Sequence, residues 1–321
     1  MKVIDLLEKA SREGRTLFGL ELLPPLKGDG REGIFKAIEN VLDFDPAYVN
    51  ITFHREGLKK TEDPDGLPEY HTVRRRPGTV GIAAAIQRKY DIPAVPHLIC
   101  GGLSRYEIED FLIDMDFLEI ENVLALQGDK KPNEVEFMPH PEGHEYAIDL
   151  VNQIVGMNKG VFIDGEAHTG HRSGFCIGVA GYPETHYRAF FPEDDIRRLK
   201  QKVETGAEYV VTQMFFDNSR YFDFVDQCRN AGITVPIIPG LKPLVNERQL
   251  TGLAETFNIT MPEDLVREVK IHADDRAKVK EIGLEWTVAQ VRELIERGVP
   301  AVHFYTMSRT ENIARVARKI W

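Results

Sequence analysis

Cysteine is scarce in this sequence, which has only Cys100, Cys176 and Cys228 among its 321 residues. No two of them form a CxxC pair, and three thiols cannot all be paired within one chain. A disulfide framework and a four-cysteine zinc site are therefore both disfavoured. The same scarcity favours a reducing compartment, and we expect a cytoplasmic protein.

Long apolar runs and an excess of positive charge are also absent. No apolar run approaches the roughly 18 residues that a membrane span needs. The first turns of the chain are amphipathic, and they lack the apolar region and cleavage site of a signal peptide. The chain has 40 Lys and Arg against 51 Asp and Glu, a net charge of −11. We therefore expect neither a membrane nor a nucleic-acid partner.

The run Arg74-Arg75-Arg76 is a local exception to this acidic balance. One interpretation is a solvated loop ahead of a helix, and the other is a contact with an anion. An acidic enzyme needs a few well-placed cations to bind an anionic small molecule, so both interpretations stay open.

Short β-rich apolar segments alternate with amphipathic helical segments along the whole chain. The predicted strands are 17–23, 47–53, 94–99, 123–127, 175–180, 209–214, 235–239 and 301–305. The predicted helices include 31–42, 82–90, 105–115, 146–157, 193–205, 219–231 and 310–320. Nearly continuous apolar strands that alternate with helices indicate a parallel sheet covered by helices.

Eight strand–helix units are the number that closes a (β/α)8 barrel. An open doubly wound sheet is the competing arrangement. It is disfavoured because the first strand runs into Glu21-Leu22-Leu23-Pro24-Pro25, a rigid extended turn, where a doubly wound fold would have a glycine-rich turn. The sequence therefore predicts an α/β fold, a single-domain TIM barrel over residues 1–321. We also expect an extra N-terminal helix and a helical insertion at 258–286, before the last strand.

Chemistry in such a barrel lies at the carboxyl ends of the strands. Polar residues occur at every predicted strand end except the seventh. The seventh strand ends in Pro239-Gly240, where a ligand could approach the backbone closely. These polar residues are Glu21, Thr52, His97, Gln127, Asp129, Tyr182, Glu184, His186, Thr212, Gln213, Tyr305 and Arg309.

Three of these residues each allow two interpretations. Glu21 stands between Leu20 and Leu22, where a carboxylate is either functional or half of a salt bridge. Burial there would raise its pKa above the ordinary value near 4.3, so that it could hold a proton at pH 7. His97 is either functional or an interior histidine bonded to backbone. Asp129 is either a site acid or a turn cap.

Metal chemistry is the alternative that the histidines raise. His168 and His171 are three residues apart, with Cys176 and His186 beyond them. However, no HExxH motif occurs, and the glycines near the first two histidines indicate a loop rather than a rigid ligand set. We expect no metal, and a metal-dependent barrel hydrolase is the rival function.

Eight motifs occur in order along the chain, one at each predicted strand. They are Glu21-Leu22-Leu23-Pro24-Pro25, Val49-Asn50-Ile51-Thr52, Pro96-His97-Leu98, Leu126-Gln127-Gly128-Asp129, Tyr182-Pro183-Glu184-Thr185-His186, Thr212-Gln213-Met214-Phe215-Phe216-Asp217, Pro239-Gly240 and His303-Phe304-Tyr305-Thr306. With these motifs the chain resembles the methylenetetrahydrofolate reductase family, from about residue 17 to its C-terminus.

The resemblance implies a flavoprotein oxidoreductase of one-carbon metabolism and methionine biosynthesis. It implies that the protein reduces 5,10-methylenetetrahydrofolate to 5-methyltetrahydrofolate. The hydride would come from NADH or NADPH and pass through bound FAD (or FMN) in a ping-pong scheme. A barrel flavoenzyme of the proline-dehydrogenase kind is a second rival. We expect a homo-oligomer of a size that the sequence leaves open. We expect no regulatory domain that binds S-adenosylmethionine, because the sequence ends at Trp321, directly after the last predicted helix.

The resemblance also implies a role for particular residues. Glu21 matches the general acid, and Asp129 matches the acid beside the flavin and the pterin. The implied cofactor contacts are His97, Gln127, Gly128, Asp129, Ala147, Tyr182, His186, Ala189, Asp195 and Lys202, with Thr52 at the nicotinamide. The implied substrate contacts are Gln213, Gln249 and Arg309.

Overall fold

The computed structural model describes residues 1–130, 134, 136–166, 170, 172–186, 188–189 and 191–321. Its strands are β1 (Leu17–Leu22), β2 (Tyr48–Ile51), β3 (Gly57–Glu62), β4 (Pro68–Val73), β5 (Ala94–Ile99), β6 (Asn122–Leu126), β7 (Cys176–Gly181), β8 (Tyr209–Met214), β9 (Ile237–Leu241) and β10 (Ala301–Tyr305). Eight of these strands close into a barrel in the order β1-β10-β9-β8-β7-β6-β5-β2, with every pair parallel. The predicted barrel is confirmed.

Helices surround this barrel and follow its strands along the chain. They are α1 (Val3–Arg12), α2 (Glu32–Glu39), α3 (Thr79–Tyr90), α4 (Arg105–Phe117), α5 (Ala147–Asn158), α6 (Pro192–Thr205), α7 (Asn218–Asn230), α8 (Gln249–Phe257), α9 (Glu263–Ile271), α10 (Arg276–Glu296) and α11 (Glu311–Ile320). None of the described helices is both long enough and apolar enough to cross a membrane.

The N-terminal helix α1 closes the barrel at the amino ends of its strands. Val3 and Leu7 are buried against interior side chains from the starts of the strands, namely Tyr48, Val95, Leu124, Cys176, Tyr209, Ile238 and Ala301. Asn122 fixes the start of the helix, because its Oδ1 accepts from Val3 N at 2.7 Å. The opposite end of the barrel is therefore the end at which a ligand can enter.

Glycine at two interior positions makes room for tyrosine rings. A Cβ at Gly19 would lie 2.3 Å from Cζ of the buried Tyr48, and a Cβ at Gly178 would lie 2.4 Å from Cζ of Tyr209. Real Cβ atoms do not approach that closely. Each ring therefore occupies the interior volume that a side chain on the neighbouring strand would otherwise take.

Gly19→Ala is expected to lower the free energy of unfolding by about 1–3 kcal/mol, because a methyl group would overpack the core against Tyr48. Gly252→Ala is the matched control, since a Cβ at this position in α8 would meet no atom within 4 Å. It is expected to be neutral or slightly stabilising. Urea denaturation of both variants measures the difference, and equal midpoints would contradict this account of the core.

The helical insertion before the last strand consists of α9 and α10 and has its own apolar cluster. The insertion residues Leu265, Val269 and Ile282 pack there with Met214, at the end of β8. The predicted insertion is present, but α10 continues to Glu296, ten residues beyond the predicted end at 286. The cluster places this insertion beside one rim of the barrel.

The hairpin β3–β4 was not predicted from the sequence. The side chains of β4 are exposed on both faces up to Val73, so the strand shows no alternation of buried and exposed residues. The turn is nevertheless explicable, because Asp63 Oδ1 accepts from the backbone N–H groups of Asp65 and Leu67 at 3.0 and 2.8 Å. The hairpin lies between β2 and α3, on the side of the barrel where the strands end.

Candidate active site

Glu21 lies inside the open end of the barrel, paired in register with Asn50 of β2 and Tyr305 of β10. Its side chain is only 14% exposed. Burial raises the pKa of Glu21 to about 7; the Lys242 cation opposes this shift and the Asp129 carboxylate adds to it. A carboxyl group with that pKa is protonated about half of the time at neutral pH, so it can act as an acid there.

The turn after the last strand holds the end of β1 in place. Thr306 Oγ1 donates to Glu21 O at 2.6 Å, and Ser308 Oγ both accepts from Leu23 N and donates to Leu23 O. Met307 and Ser308 adopt left-handed conformations, with φ of 50° and 59°. Non-glycine residues rarely adopt this conformation, so the turn positions Glu21 at some cost in backbone strain.

His97 is the nearest ring to this carboxyl group. Its Nε2 lies 4.0 Å from Glu21 Oε2 and 3.2 Å from Asn50 Nδ2. Burial lowers the pKa of His97 to about 3, with a smaller contribution from His54. His97 is therefore neutral at pH 7, and its contact with Glu21 is not an ion pair. Because an amide nitrogen can only donate, Nε2 accepts from Asn50.

Asp129 and its neighbours follow β6 at the same end of the barrel. Gly128 has φ +87°, and a Cβ there would lie 3.1 Å from Ile99, so glycine is suited to this turn. Gln127 Nε2 donates to Glu145 O at 2.7 Å. Asp129 is exposed at the open mouth, yet the surrounding protein atoms desolvate it enough to raise the pKa of its carboxyl group.

A second group of polar residues lies across the mouth, after β7 and on α6. Lys202 Nζ donates to Ala180 O at 2.7 Å, and burial lowers the pKa of Lys202 to about 8, although Asp195 opposes this shift. His186 N donates to Asp195 Oδ2 at 2.8 Å, and the rings of Tyr182 and His186 are 4.5 Å apart. The partly desolvated ammonium group of Lys202 could therefore bind an anion here.

His186 itself is uncharged at neutral pH. Burial lowers its pKa to about 4, and the cations Arg188, Lys202 and Arg198 lower it further. The imidazole can therefore accept as well as donate hydrogen bonds, while positive charge at this wall comes from its neighbours. Ala189 follows in the same loop, where its N–H donates to His186 O at 2.8 Å.

The remaining predicted site residues are spread around the mouth. Thr52 Oγ1 lies 3.0 Å from His54 Nε2, just after β2. Ala147 is the first residue of α5, and Arg309 is exposed after β10. The other two amide side chains bind nearby backbone: Gln213 Oε1 accepts from Met214 N at 2.9 Å, and Gln249 Oε1 accepts from Val245 N at 2.7 Å.

Glu184, a polar residue predicted at the fifth strand end, is engaged by the insertion instead. Both of its carboxylate oxygens accept from Thr260 N at 2.9 Å. Asn258 Nδ2 donates to Thr185 O at 2.8 Å in the same interface. Glu184 therefore ties the insertion to the loop after β7.

Lys242 is the site residue that the sequence interpretation missed. The seventh strand was predicted to end at 239, but β9 runs to Leu241. Leu241 pairs with Phe304, so Lys242 comes level with Tyr305 and, one strand further, with Glu21. Residues at matched positions of parallel strands share a face. Burial lowers the pKa of Lys242, while Glu21 raises it and Arg309 lowers it.

The metal hypothesis is not supported by the described part of the chain. Within it, no three His, Cys, Asp or Glu side chains are grouped so that they could hold a metal ion. His168 and His171 lie outside the described residues.

Comparison with known proteins supplies the decisive observation. The family model described as methylenetetrahydrofolate reductase matches residues 6–320. The chain belongs to the methylenetetrahydrofolate reductase family. Relatives in this family include the 5,10-methylenetetrahydrofolate reductase of Salmonella typhimurium, 30% identical over 302 residues, which cover 94% of this chain and 90% of the relative.

Plant members of the family are longer. Methylenetetrahydrofolate reductase (NADH) 1 of Arabidopsis thaliana is 29% identical over 317 residues, which cover 96% of this chain and 49% of the relative. The chain thus spans about half the length of several curated relatives that it matches.

Solved structures support the barrel alone. A Clostridium thermocellum protein described as binding two copies of 5-methyl-5,6,7,8-tetrahydrofolic acid aligns with a TM-score of 0.57 at 15% identity, covering 98% of each chain. An oxaloacetate acetylhydrolase aligns with a TM-score of 0.53 at 10% identity, covering 99% of this chain and 83% of the other.

Proposed function

We propose that the protein reduces 5,10-methylenetetrahydrofolate to 5-methyltetrahydrofolate, with hydride from NADH or NADPH and a bound flavin as the intermediate carrier. The observation that carries the proposal is the position of Glu21, which is largely enclosed in the mouth of the barrel, where burial raises its pKa to about 7 and makes it an acid at neutral pH. Membership of the methylenetetrahydrofolate reductase family supports the choice of substrate.

The described residues fit a flavin in this mouth. Lys202 has a desolvated ammonium group that is suited to binding a phosphate. At Gly128 the turn carries no side chain, so a flavin ring could approach the backbone closely there. The residues that would hold the cofactor, FAD or alternatively FMN, are His97, Gln127, Gly128, Asp129, Ala147, Tyr182, His186, Ala189, Asp195 and Lys202. When bound, a flavin supplies hydride storage between the two half-reactions.

Glu21 provides the proton that makes the folate reactive. Methylenetetrahydrofolate resists hydride while its one-carbon bridge is closed. Protonation of N10 opens the bridge and leaves an iminium cation at N5, which accepts hydride. Glu21 gives this proton and becomes a carboxylate, which the neighbouring Lys242 cation stabilises.

Other residues bind and orient the two substrates. Asp129 favours the iminium cation through its negative charge. Gln213, Gln249 and Arg309 are proposed to bind the folate, and Thr52 is proposed to bind the nicotinamide. Because the two substrates would use the same mouth in turn, the kinetics should be ping-pong.

A visible spectrum of the purified protein tests the proposal first. Flavin absorbance is expected, followed by anaerobic bleaching with NADH or NADPH and recovery of colour on addition of methylenetetrahydrofolate. A colourless protein, or one bleached by proline and not by a nicotinamide nucleotide, would refute it.

Asp129→Asn is expected to raise the reduction potential of the bound flavin and to weaken folate binding. An anion beside the ring disfavours additional negative charge on it, and the neutral amide removes that effect. A redox titration measures the potential, with Asp114→Asn on the exposed face of α4 as the control. An unchanged potential in the Asp129 variant would contradict this role.

A further inference from the structure

Strand β8 carries one residue more than its neighbour β9 where the two strands reach the mouth. Val211 pairs with Ile238 and Met214 pairs with Gly240, so three steps along β8 match two steps along β9. The extra residue falls at Thr212-Gln213 and forms a β-bulge, which includes a proposed folate contact. Bulges beside active sites commonly re-aim a side chain.

The bulge decides which of two neighbouring side chains enters the apolar cluster of the insertion. Met214 is buried in that cluster, whereas Gln213 is half-buried. Without the extra residue, Gln213 would come level with Gly240 and take the place that Met214 holds. A shift of one residue along a strand moves a side chain to the other face. The bulge therefore keeps the amide at the mouth and the thioether in the cluster.

Two contacts of Thr212 hold the bulge in place. Its Oγ1 accepts from Gly240 N at 2.9 Å, and its backbone O accepts from the hydroxyl group of Tyr305 at 2.7 Å. Thr212 is fully buried. A buried N–H or carbonyl group that loses its partner is costly, so both contacts oppose any slip of β8 along β9.

Tyr305 reaches Thr212 across an intervening strand. Tyr305 belongs to β10 and Thr212 to β8, and β9 lies between them. A Cβ at Gly240 of β9 would lie 2.6 Å from Tyr305 Cε2 and 2.2 Å from Thr212 O. Glycine at this position is therefore what lets the tyrosine ring cross β9 and reach the bulge.

The bulge also fixes the orientation of the Gln213 amide. Gln213 Oε1 accepts from Met214 N at 2.9 Å, a backbone donor of the same strand. Because this bond holds the oxygen end, the amide nitrogen is the end that can donate to a ligand. A pterin ring carries a carbonyl oxygen and ring nitrogens that accept such hydrogen bonds.

We infer that Thr212 and Tyr305 are positioning residues, which act on the folate through Gln213. Together they lock the bulge of β8 and hold the Gln213 amide where it can donate to the pterin ring. The inference rests on the proposed function, because it concerns the binding of that reaction's folate. Neither Thr212 nor Tyr305 has to touch the substrate.

Tyr305→Phe in the full-length flavin-loaded protein tests this role, because it removes one hydroxyl group and keeps the ring. The Kd of 5-methyltetrahydrofolate, measured by calorimetry, is expected to rise about tenfold, the equivalent of one hydrogen bond. The pH dependence of the folate half-reaction is expected to stay in place. A shifted pH profile with an unchanged Kd would mean that Tyr305 acts on Glu21, its partner in register, and would overturn the inference.

Tyr221→Phe is the matched control. The hydroxyl group of Tyr221 also donates to a strand carbonyl at 2.7 Å, that of Ile237 at the start of β9, away from the bulge. Both variants are expected to lower the urea midpoint to a similar extent, and Tyr221→Phe is expected to leave the folate Kd unchanged. Equal rises in Kd would trace to a general loosening of the barrel and would reject the positioning role.

Two replacements of Thr212 separate its hydroxyl group from its shape. Thr212→Ser keeps the acceptor for Gly240 N, so its folate Kd is expected to stay within about twofold of the unaltered protein. Thr212→Val keeps the shape and removes the acceptor, and its Kd is expected to rise about tenfold. Equal Kd values in the two variants would show that the hydroxyl group does not hold the bulge.

A double-variant cycle shows whether the effect passes through Gln213. Gln213→Leu removes the amide, and adding Tyr305→Phe to it is expected to change the folate Kd by less than about twofold. Independent losses that multiply in the double variant would place the action of Tyr305 elsewhere and overturn the inference.

Crystal structures of the unaltered protein and of Tyr305→Phe need no turnover and no folate. The carbonyl of Thr212 loses its partner in the variant, so we expect the bulge to relax and the Gln213 amide to leave its position on Met214 N. An unmoved Gln213 in the variant refutes the positioning role. If the unaltered protein binds no 5-methyltetrahydrofolate, the proposed function fails, and these two structures still decide whether Tyr305 positions Gln213.

Discussion

Replacing Glu21 by Gln is expected to stop reduction of methylenetetrahydrofolate while the nicotinamide nucleotide is still oxidised. The amide has nearly the same shape but no proton to give to N10, so the closed one-carbon bridge cannot open. General acids contribute about 10²–10⁴-fold to such rates, and a loss of that size is expected in the folate half-reaction. Stopped-flow absorbance measures the two half-reactions separately.

The selectivity of this loss is what identifies Glu21 as the acid. Glu281→Gln changes a carboxylate that pairs with Arg315 on the surface and serves as the matched control, with both half-reactions expected to stay intact. If Glu21→Gln slows both half-reactions equally, Glu21 is needed for the structure of the mouth and not for proton transfer.

The folate half-reaction is expected to slow as pH rises through about 7. Burial, as the largest cause, raises the pKa of Glu21 to about 7, so the acid is mostly protonated at pH 6. At pH 9 only about 1% of the molecules retain this proton, which predicts a fall of roughly 100-fold between those values. The nucleotide half-reaction should not share this profile. Single-turnover rates across this pH range give the measurement.

Lys242→Met tests the electrostatic origin of that pKa. The charged and titratable groups around Glu21 are the Lys242 cation, the Asp129 carboxylate, neutral His97 and Tyr305. The lysine favours the carboxylate form, so its loss is expected to raise the pKa of Glu21 and move the profile to higher pH. A profile that stays in place would show that Lys242 does not act on this carboxyl group.

The barrel could be predicted because its strands can be recognised from the sequence alone. Strands buried on both faces, such as β5 and β8, read as short continuous apolar runs, and their predicted bounds are those observed. The hairpin β3–β4 could not be predicted in this way. Its strand β4 is exposed on both faces up to Val73, and only pairing between its two strands, over Gly57–Glu62 and Pro68–Val73, defines it.

The sequence predicted Glu21 as a residue of the candidate site but missed Lys242. Glu21 was recognisable because a carboxylate between leucines is unusual, and the structure confirms its burial. Lys242 was missed because an error of two residues at the end of β9 removed it from the strand ends considered. Strand ends are set by pairing with neighbours, and here Phe304 of β10 extends the ladder to Leu241.

By itself, the sequence determined the alternation of strands and helices, and with it the number of strands in the barrel and the end of the barrel at which polar residues gather. Tertiary structure alone decided which of those residues meet. Closure of the barrel brings Lys242 level with Glu21, although the two are far apart along the chain, and burial there shifts both pKa values. Burial and charge proximity depend on three-dimensional neighbours, and no local pattern in a sequence encodes them.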